Sequence, residues 1–242
     1  SYTVASGSNF IGAYSVPSSC YATISAFVGA LNSGTVTGPV ALLVSSGHSE
    51  TAAAGGINLT KTGTSTAGIS IRHLGTGVKP FILAGAGTQA TAQSTTALDA
   101  IFRLSGVDYV TIDGIDLREN TTNTTATTQA EYGYLIGANS ATDGAQYDTI
   151  RNCVVTLNKA NSSTGGNSAI WLGQHTTASY TAVVPTSTAG INAYCAFQTD
   201  TLQNTVTGIG ILGSTTLAYY GVDNNISDCY VRNFGGGSTL TA

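Results

Sequence analysis

Short apolar segments broken by Asn, Asp and Gly recur along this chain, and one of them returns in variant form. Asp108-Tyr109-Val110-Thr111-Ile112-Asp113-Gly114-Ile115-Asp116-Leu117 is followed by Tyr147-Asp148-Thr149-Ile150-Arg151-Asn152-Cys153-Val154-Val155. Further copies are Asp200-Thr201-Leu202-Gln203-Asn204-Thr205-Val206 and Asn224-Asn225-Ile226-Ser227-Asp228-Cys229-Tyr230-Val231. Each sets an aliphatic residue, then a polar pair or Asp-Gly, then another apolar strand position. An inward aliphatic side chain, a polar or glycine corner and a second short strand make one rung of a parallel β-solenoid. One rung cannot bury its own apolar face, so rungs stack, and the stacking is written as an imperfect repeat.

Further strands are expected at Ile57 to Leu59, Ile69 to Ile71, Phe81 to Ala84 and Ala100 to Leu104, between Gly, Asn and Ser corners. Taking Ile112, Ile150, Leu202 and Ile226 as equivalent, the shortest step is about 24 residues, one rung of a three-sided solenoid. The longer steps need insertions. Asn120 to Gln129 and His175 to Thr188 have the polar, Thr-rich composition of protruding loops, where binding functions concentrate.

Residues 1–17 read as an extended lead-in, with Tyr2, Val4, Phe10, Ile11 and Tyr14 interrupted by Gly and Ser. One helix follows, because Cys20, Tyr21, Ile24, Phe27, Val28 and Leu31 recur at helical spacing. Ser18 or Ser19 can cap its start and Asn32-Ser33-Gly34 ends it. Laid across the first rung, this helix would cover an edge otherwise open to strand addition. Gly38-Pro39 then opens the strand Val40 to Val44. The expected organisation is a single all-β domain over 1–242, with lead-in and capping helix over 1–38 and solenoid rungs over 39–242. At the far end Phe234 runs into Gly235-Gly236-Gly237 and the sequence stops at Ala242 with no capping helix. Either more chain or another subunit meets that last rung. The expectation is more chain, this being the N-terminal part of a longer protein.

Composition sharpens the picture. Charged residues are 8% of the chain, against roughly 25% in an average soluble protein. The surface must be solvated mainly by hydroxyl and amide groups, which suits strand faces where Thr is favoured. Net charge is −4 and the eight Lys and Arg are scattered. No basic stripe exists to neutralise a phosphate backbone, so no nucleic-acid partner is expected. The longest apolar run, Pro39 to Val44, is strand-sized, so no membrane insertion is expected either. The chain lacks Met even at position 1, which fits a mature protein released from a signal peptide before Ser1 or an excised fragment; export is the favoured reading.

Cys20, Cys153, Cys195 and Cys229 contain no Cys-x-x-Cys pair. Cys153 and Cys229 occupy equivalent rung positions, where other copies have Ile115 and Thr205. With the Asp200 copy between them they stand about 9–10 Å apart, beyond the roughly 7 Å limit of a disulfide. All four read as small buried hydrophobes.

The order of helix, Asn32-Ser33-Gly34-Thr35-Val36-Thr37-Gly38-Pro39-Val40 and then Gly55 to Thr64 resembles large secreted right-handed parallel β-helix proteins of Bacteroidota. So do Asp108 to Asn120, Asn123 to Gln129 and Asn152 to Asn161, and the likeness runs over essentially the whole chain. It implies a right-handed pectate-lyase-type solenoid, a secreted or cell-surface location through type nine secretion, and adhesive or structural roles without a defined activity. Asp148-Thr149-Ile150 and Asp200-Thr201-Leu202 also look like the O-glycosylation acceptor of these bacteria, which implies modification at Thr149 and Thr201. Both triplets lie in the rung motif, where Thr also serves as a plain strand residue.

Parallel β-helices often act on polysaccharides, so carboxylates matter. The acidic concentration is Asp108, Asp113, Asp116 and Glu119, with Arg118 alongside. Asp113 and Asp116 could project outward from one rung and bind a cation such as calcium through oxygen. Neighbouring rungs do not repeat them as stacked carboxylates, and solvated corner residues are the plainer account. A glycosidase pair at fixed separation and a Gly-x-Ser-x-Gly elbow are absent, so no catalytic or cofactor-binding residue is assigned. His48, His73 and His175 lack metal-ligand spacing and read as isolated surface or turn residues. Trp171 lies in the apolar strand Ala169 to Leu172 and reads as core, while Tyr219-Tyr220 could stack on sugar rings. The expected role is an extracellular structural or adhesive rod whose partners are glycans, surfaces or copies of itself. A filament subunit and a polysaccharide lyase or hydrolase are the alternatives.

Overall fold

β-branched and aromatic residues alternate with Ser, Thr and Asn in runs too short to pair with themselves. Each run finds its partner one rung away. The computed structural model describes residues 8–88, 92–161, 166–215 and 218–235; Tyr2, Val4, Gly236, Gly237 and Ala242, named above, lie outside the described residues. The first sheet orders β1 (Asn9–Val16), β2 (Thr35–Ser45), β5 (Ile69–Leu74), β8 (Val110–Asp113), β11 (Thr149–Arg151), β15 (Ala196–Gln198) and β18 (Asn225–Ser227). The second orders β3 (Ser49–Thr51), β6 (Phe81–Leu83), β9 (Asp116–Arg118), β12 (Val154–Thr156), β16 (Thr201–Thr205) and β19 (Tyr230–Phe234). The third orders β4 (Ile57–Leu59), β7 (Ala100–Ser105), β10 (Tyr132–Ala138), β13 (Ser168–Thr176) and β17 (Thr207–Leu212), with β14 (Ser179–Ala182) folded back antiparallel on β13. Every other strand pair is parallel, and from β2 onward the chain visits first, second and third sheets in turn, a topology compatible with a parallel β-solenoid.

Register stacks like on like. Leu42, Ile71, Ile112, Ile150 and Phe197 form one buried column, Ile82, Leu117, Val155 and Leu202 a second, and Leu59, Leu104, Ile136 and Leu172 a third. This register corrects the alignment read from the repeat. Leu202 is the partner of Val155, and Phe197 takes the place beside Ile150. Equivalent corners joined by hydrogen bonds are 38, 47 and 29 residues apart, so the 24-residue step does not exist. Cys153 likewise shares its column with Ile115, Asp200 and Cys229, and Thr205 is not part of it.

Two devices turn the corners. The first is a left-handed residue at the same place in successive rungs: Tyr109, Tyr147, Tyr194 and Asp223 at φ 54, 59, 58 and 52°, and Gly114, Asn152, Thr199 and Asp228 at 71, 55, 55 and 54°. Asn and Asp tolerate this region, whereas Tyr and Thr enter it at a cost of about 1–2 kcal/mol. At the tyrosine corner the cost is offset by ring stacking, with centroids 4.6 and 4.7 Å apart and planes within 8°. The second device is an inward side-chain oxygen that takes the amide of the adjacent rung. Asp148 accepts from Val110 at 2.9 Å, Asp200 from Cys153 at 2.8 Å and Asn192 from Ala145 at 2.9 Å, and Asp116 does the same for Val154 from the outer face at 2.9 Å. Backbone donors that bending strips of a ladder partner are thereby satisfied.

The helix, α1 (Ile24–Ser33), begins later than its periodicity suggested. Thr23 is its cap, accepting the Ala26 amide at 3.0 Å; Ser18 and Ser19 lie in the preceding turn, and Cys20 is exposed there. Phe27 and Tyr21 pack with Phe10 and Tyr14 of β1 in an aromatic cluster. The helix seats on two strand edges at once. Glu50 of β3 accepts the Ile24 and Ser25 amides at 2.6 and 3.0 Å, a carboxylate at the positive helix end. Asn32 donates to the Asn58 carbonyl at 2.7 Å and accepts the Thr60 amide at 2.9 Å, so its side-chain amide continues the β4 ladder as a peptide group would. The following strand already starts at Thr35, and Pro39 sits at the register shift between Phe10 and Gly12 of β1, where its missing N–H breaks no ladder bond.

Candidate functional site

The insertion between β9 and β10 is held by side-chain hydrogen bonds at its ends and inside. Glu119 holds both its ends, taking the Asn120 amide at 2.9 Å on one oxygen and the Ala130 amide at 2.8 Å on the other. Inside, Asn123 acts as the hub. It accepts from the Thr128 hydroxyl at 2.9 Å, donates to the Thr128 carbonyl at 2.8 Å, and its own carbonyl accepts from Gln129 at 2.7 Å. Thr-rich segments do not hold one shape by apolar burial, and here side-chain amides substitute for it. The loop overhangs the next two rungs and encloses a cleft of about 430 Å³. One wall carries Asn120, Thr121 and Thr124; the other carries Thr156, Asn158 and Asn204. Asn158 ties the walls together by donating to Gln129 at 2.9 Å. Apart from Glu119 and Leu157 the lining side chains are Asn, Thr and Gln, which present donors and acceptors beside the apolar surface of Leu157 and the threonine methyls and so suit a neutral hydroxylated ligand.

Glu119 is the carboxylate in this lining. Burial raises its pKa and its two amide bonds oppose the rise. With both oxygens committed to the backbone, it braces the loop. Behind it, Glu131 is 0% exposed and neither carboxylate oxygen has a partner. Desolvation, aided by nearby Asp99, pushes it up to about 9, so it is a neutral acid at pH 7 and sealed from the cleft.

The other residues singled out from sequence are placed as follows. Asp113 faces outward and is engaged, with Arg151 Nε at 2.9 Å and the Asn152 amide at 2.8 Å. Asp116 alternates with inward Ile115 and Leu117, so it lies on the outer face with Arg118, yet it is only 5% exposed, accepting the Val154 amide at 2.9 Å with the Arg118 guanidinium 3.6 Å away. Among the described residues no group of three or more His, Cys, Asp or Glu is placed to hold a metal ion. Thr149 and Thr201 are half-buried strand residues, in register with Thr111 and Ala196 and with Val154 and Tyr230. Asp148 and Asp200 precede them as interior caps, so each Asp-Thr-aliphatic triplet has an architectural reason: cap inward, Thr outward, aliphatic inward.

His175 is 0% exposed and not a surface or turn residue. Its ring takes the Trp171 indole N–H at 2.9 Å and contacts Tyr180. Together with Ala92, Leu98, Ala100, Tyr132 and Leu135, Trp171 belongs to a second small apolar cluster on the outer face of the third sheet, separate from the columns inside. Sequence gave no warning of this, because Trp171 alternates with inward Ile170 and Leu172 in one unbroken apolar run. All four cysteines are free, and burial holds the Cys153 thiol at about 12. Comparison with protein-family models, with curated proteins and with solved structures finds no match for this chain.

Proposed function

We propose that the chain is a right-handed, three-sided parallel β-helix displayed outside the cell, where it serves as a structural and adhesive rod presenting polar loops to glycans. The hand follows from the strong preference of parallel crossover connections for the right-handed path. The resemblance to secreted Bacteroidota β-helix proteins supports the location, and so does a surface solvated by hydroxyls and amides. The observation that carries the adhesive role is the braced cleft under the 120–129 loop. Its groups are already fixed by Glu119, Asn123 and Asn158, so little ordering cost remains for a ligand. Hydrolysis would need carboxylates free to face the cleft, and Glu119 spends both oxygens on amides.

A glycan array probed with the labelled protein tests the reading. Binding of at least one neutral glycan is expected, together with its loss on Thr124→Arg, which fills the cleft from an exposed position. An array with no bound glycan, or one on which no bound glycan is lost by that change, refutes the adhesive role of this cleft. Surface labelling of the native cells tests location, and intact mass of the native protein tests glycan addition at Thr149 and Thr201.

Self-association is a second reading with its own observation. Ile226 continues the column of Ile150 and Phe197 yet is 49% exposed, and Tyr230 and Phe234 of the same rung are exposed beside it. Because α1 covers the β3 and β4 edges at the opposite end, copies would meet last rung to last rung. Contact at that rung alone would give a dimer, and a filament would need a second contact at the opposite end, where β1 is the edge strand of its sheet. Sedimentation velocity of the wild type against Ile226→Asp decides between dimer and monomer.

A further inference from the structure

The tyrosine corner offers a site of a different kind. Tyr109, Tyr147 and Tyr194 stack face to face on three successive rungs. One rung further the same left-handed position is Asp223, since Ala196 pairs with Asn225. Tyr194 therefore presents a ring face on which, among the described residues, no fourth ring stacks. Beside the stack, along Tyr147 and Tyr194, lies a cleft of about 420 Å³, within the range of small-ligand pockets, roughly 300–1,000 Å³. Its aromatic walls are Tyr147, Tyr194, Tyr219 and Tyr220, and Gln146 and Thr188 add polar groups; every lining residue is uncharged.

We propose that this cleft binds one pyranose ring of a neutral glycan, seated on Tyr194 as the next member of the stack. The argument is chemical. A pyranose has an apolar C–H face and a hydroxylated rim, and the cleft pairs aromatic faces with phenol hydroxyls, an amide and a threonine. A wholly aromatic ligand would leave that polar rim unused. An acidic sugar would bury a carboxylate with no cation in the lining. The scaffold fixes the geometry: corner spacing is set by the ladder, so a ring placed on Tyr194 meets the separation already seen between the tyrosines, 4.7 Å. The site is at a different corner from the cleft under the 120–129 loop and does not depend on it.

The test is calorimetric titration of the Thr124→Arg protein, whose loop cleft is filled, with cellohexaose, xylohexaose and mannohexaose, and with oligogalacturonate as the acidic comparison. At least one neutral oligosaccharide is expected to bind and the acidic one not to. Tyr194→Ala should weaken binding about tenfold, the loss of one aromatic stacking contact. Asp223→Tyr should abolish it by completing the stack with protein, and the melting temperature should not fall because three tyrosines already occupy that backbone conformation. Both changes are made in the Thr124→Arg background. Absence of binding by every neutral oligosaccharide overturns the proposal, as does binding that survives Asp223→Tyr. Binding seen in the wild type but absent from the Thr124→Arg protein overturns it too and assigns recognition to the other cleft.

Discussion

Asp200 is the residue whose change should alter stability in the most diagnostic way. It stands in a column otherwise made of Ile115, Cys153 and Cys229, fully buried, with one carboxylate oxygen on the Cys153 amide and the other without a partner. Burial raises its pKa from 3.8 to about 7, and Asp113 adds to the rise while amide bonds and Lys79 oppose it. The folded state therefore holds a proton that the unfolded chain gives up at lower pH. Stability from this group is complete below about pH 4 and is lost progressively as pH rises through 7. The interval from 3.8 to about 7, at 1.36 kcal/mol per pH unit, sets a ceiling of about 4 kcal/mol. Asp200→Asn removes the ionisation and keeps the carbonyl oxygen for Cys153, as Asn192 does for Ala145. Urea unfolding of both proteins at pH 5 and pH 8 measures the effect. The wild type should lose stability between the two, and the variant should lose less, by up to about 3 kcal/mol, the part of the interval that lies above pH 5. Glu131 and Asp148, also buried and raised, contribute slopes of the same sign to both proteins and cancel in the difference. Equal slopes for wild type and variant would refute the placement of a protonated carboxyl in this column.

Asn32→Ala removes both bonds that continue the β4 ladder; a loss of about 1–3 kcal/mol in denaturant unfolding is expected, with faster amide exchange at Thr60. Ile150→Ala should cost about 2–5 kcal/mol. The same change at Ile226, in the same column but half exposed, should cost under about 1 kcal/mol by the same assay, since its rung is open. Tyr147→Asn keeps a residue suited to left-handed backbone while deleting the middle ring; near-ultraviolet circular dichroism should fall, and stability should drop by about 1–3 kcal/mol for two lost stacking contacts.

Which parts of this molecule could be read from its residues follows from how local each decision is. Inward aliphatics and polar corners are local, and Ile112 with Ile150 came out in true register. The Asp200 copy was set on the wrong face because cap, Thr and aliphatic serve equally at the corner before the first sheet and at the corner before the second. Nothing within the triplet says which face follows. The helix start was misjudged for a similar reason: Tyr21 keeps helical spacing but belongs to an aromatic cluster with β1, a partner remote from the pattern. The loop cleft was legible in outline, since Asn120 to Gln129 was too polar to be a rung, yet its bracing by Glu119 depends on Ala130 folding back. The tyrosine stack left only a faint trace, three Tyr residues at unequal spacing. They meet because insertions of different length return to one corner.

Unequal rung lengths joined by invariant corners make loop length a free variable of this architecture. A foreign peptide placed within 120–129 or 177–187 would leave the columns undisturbed and emerge at a height set by the ladder, in steps of about 4.8 Å along the axis. Two such insertions on different rungs would be held at a chosen separation, so the scaffold amounts to a molecular ruler for spacing epitopes or catalytic groups.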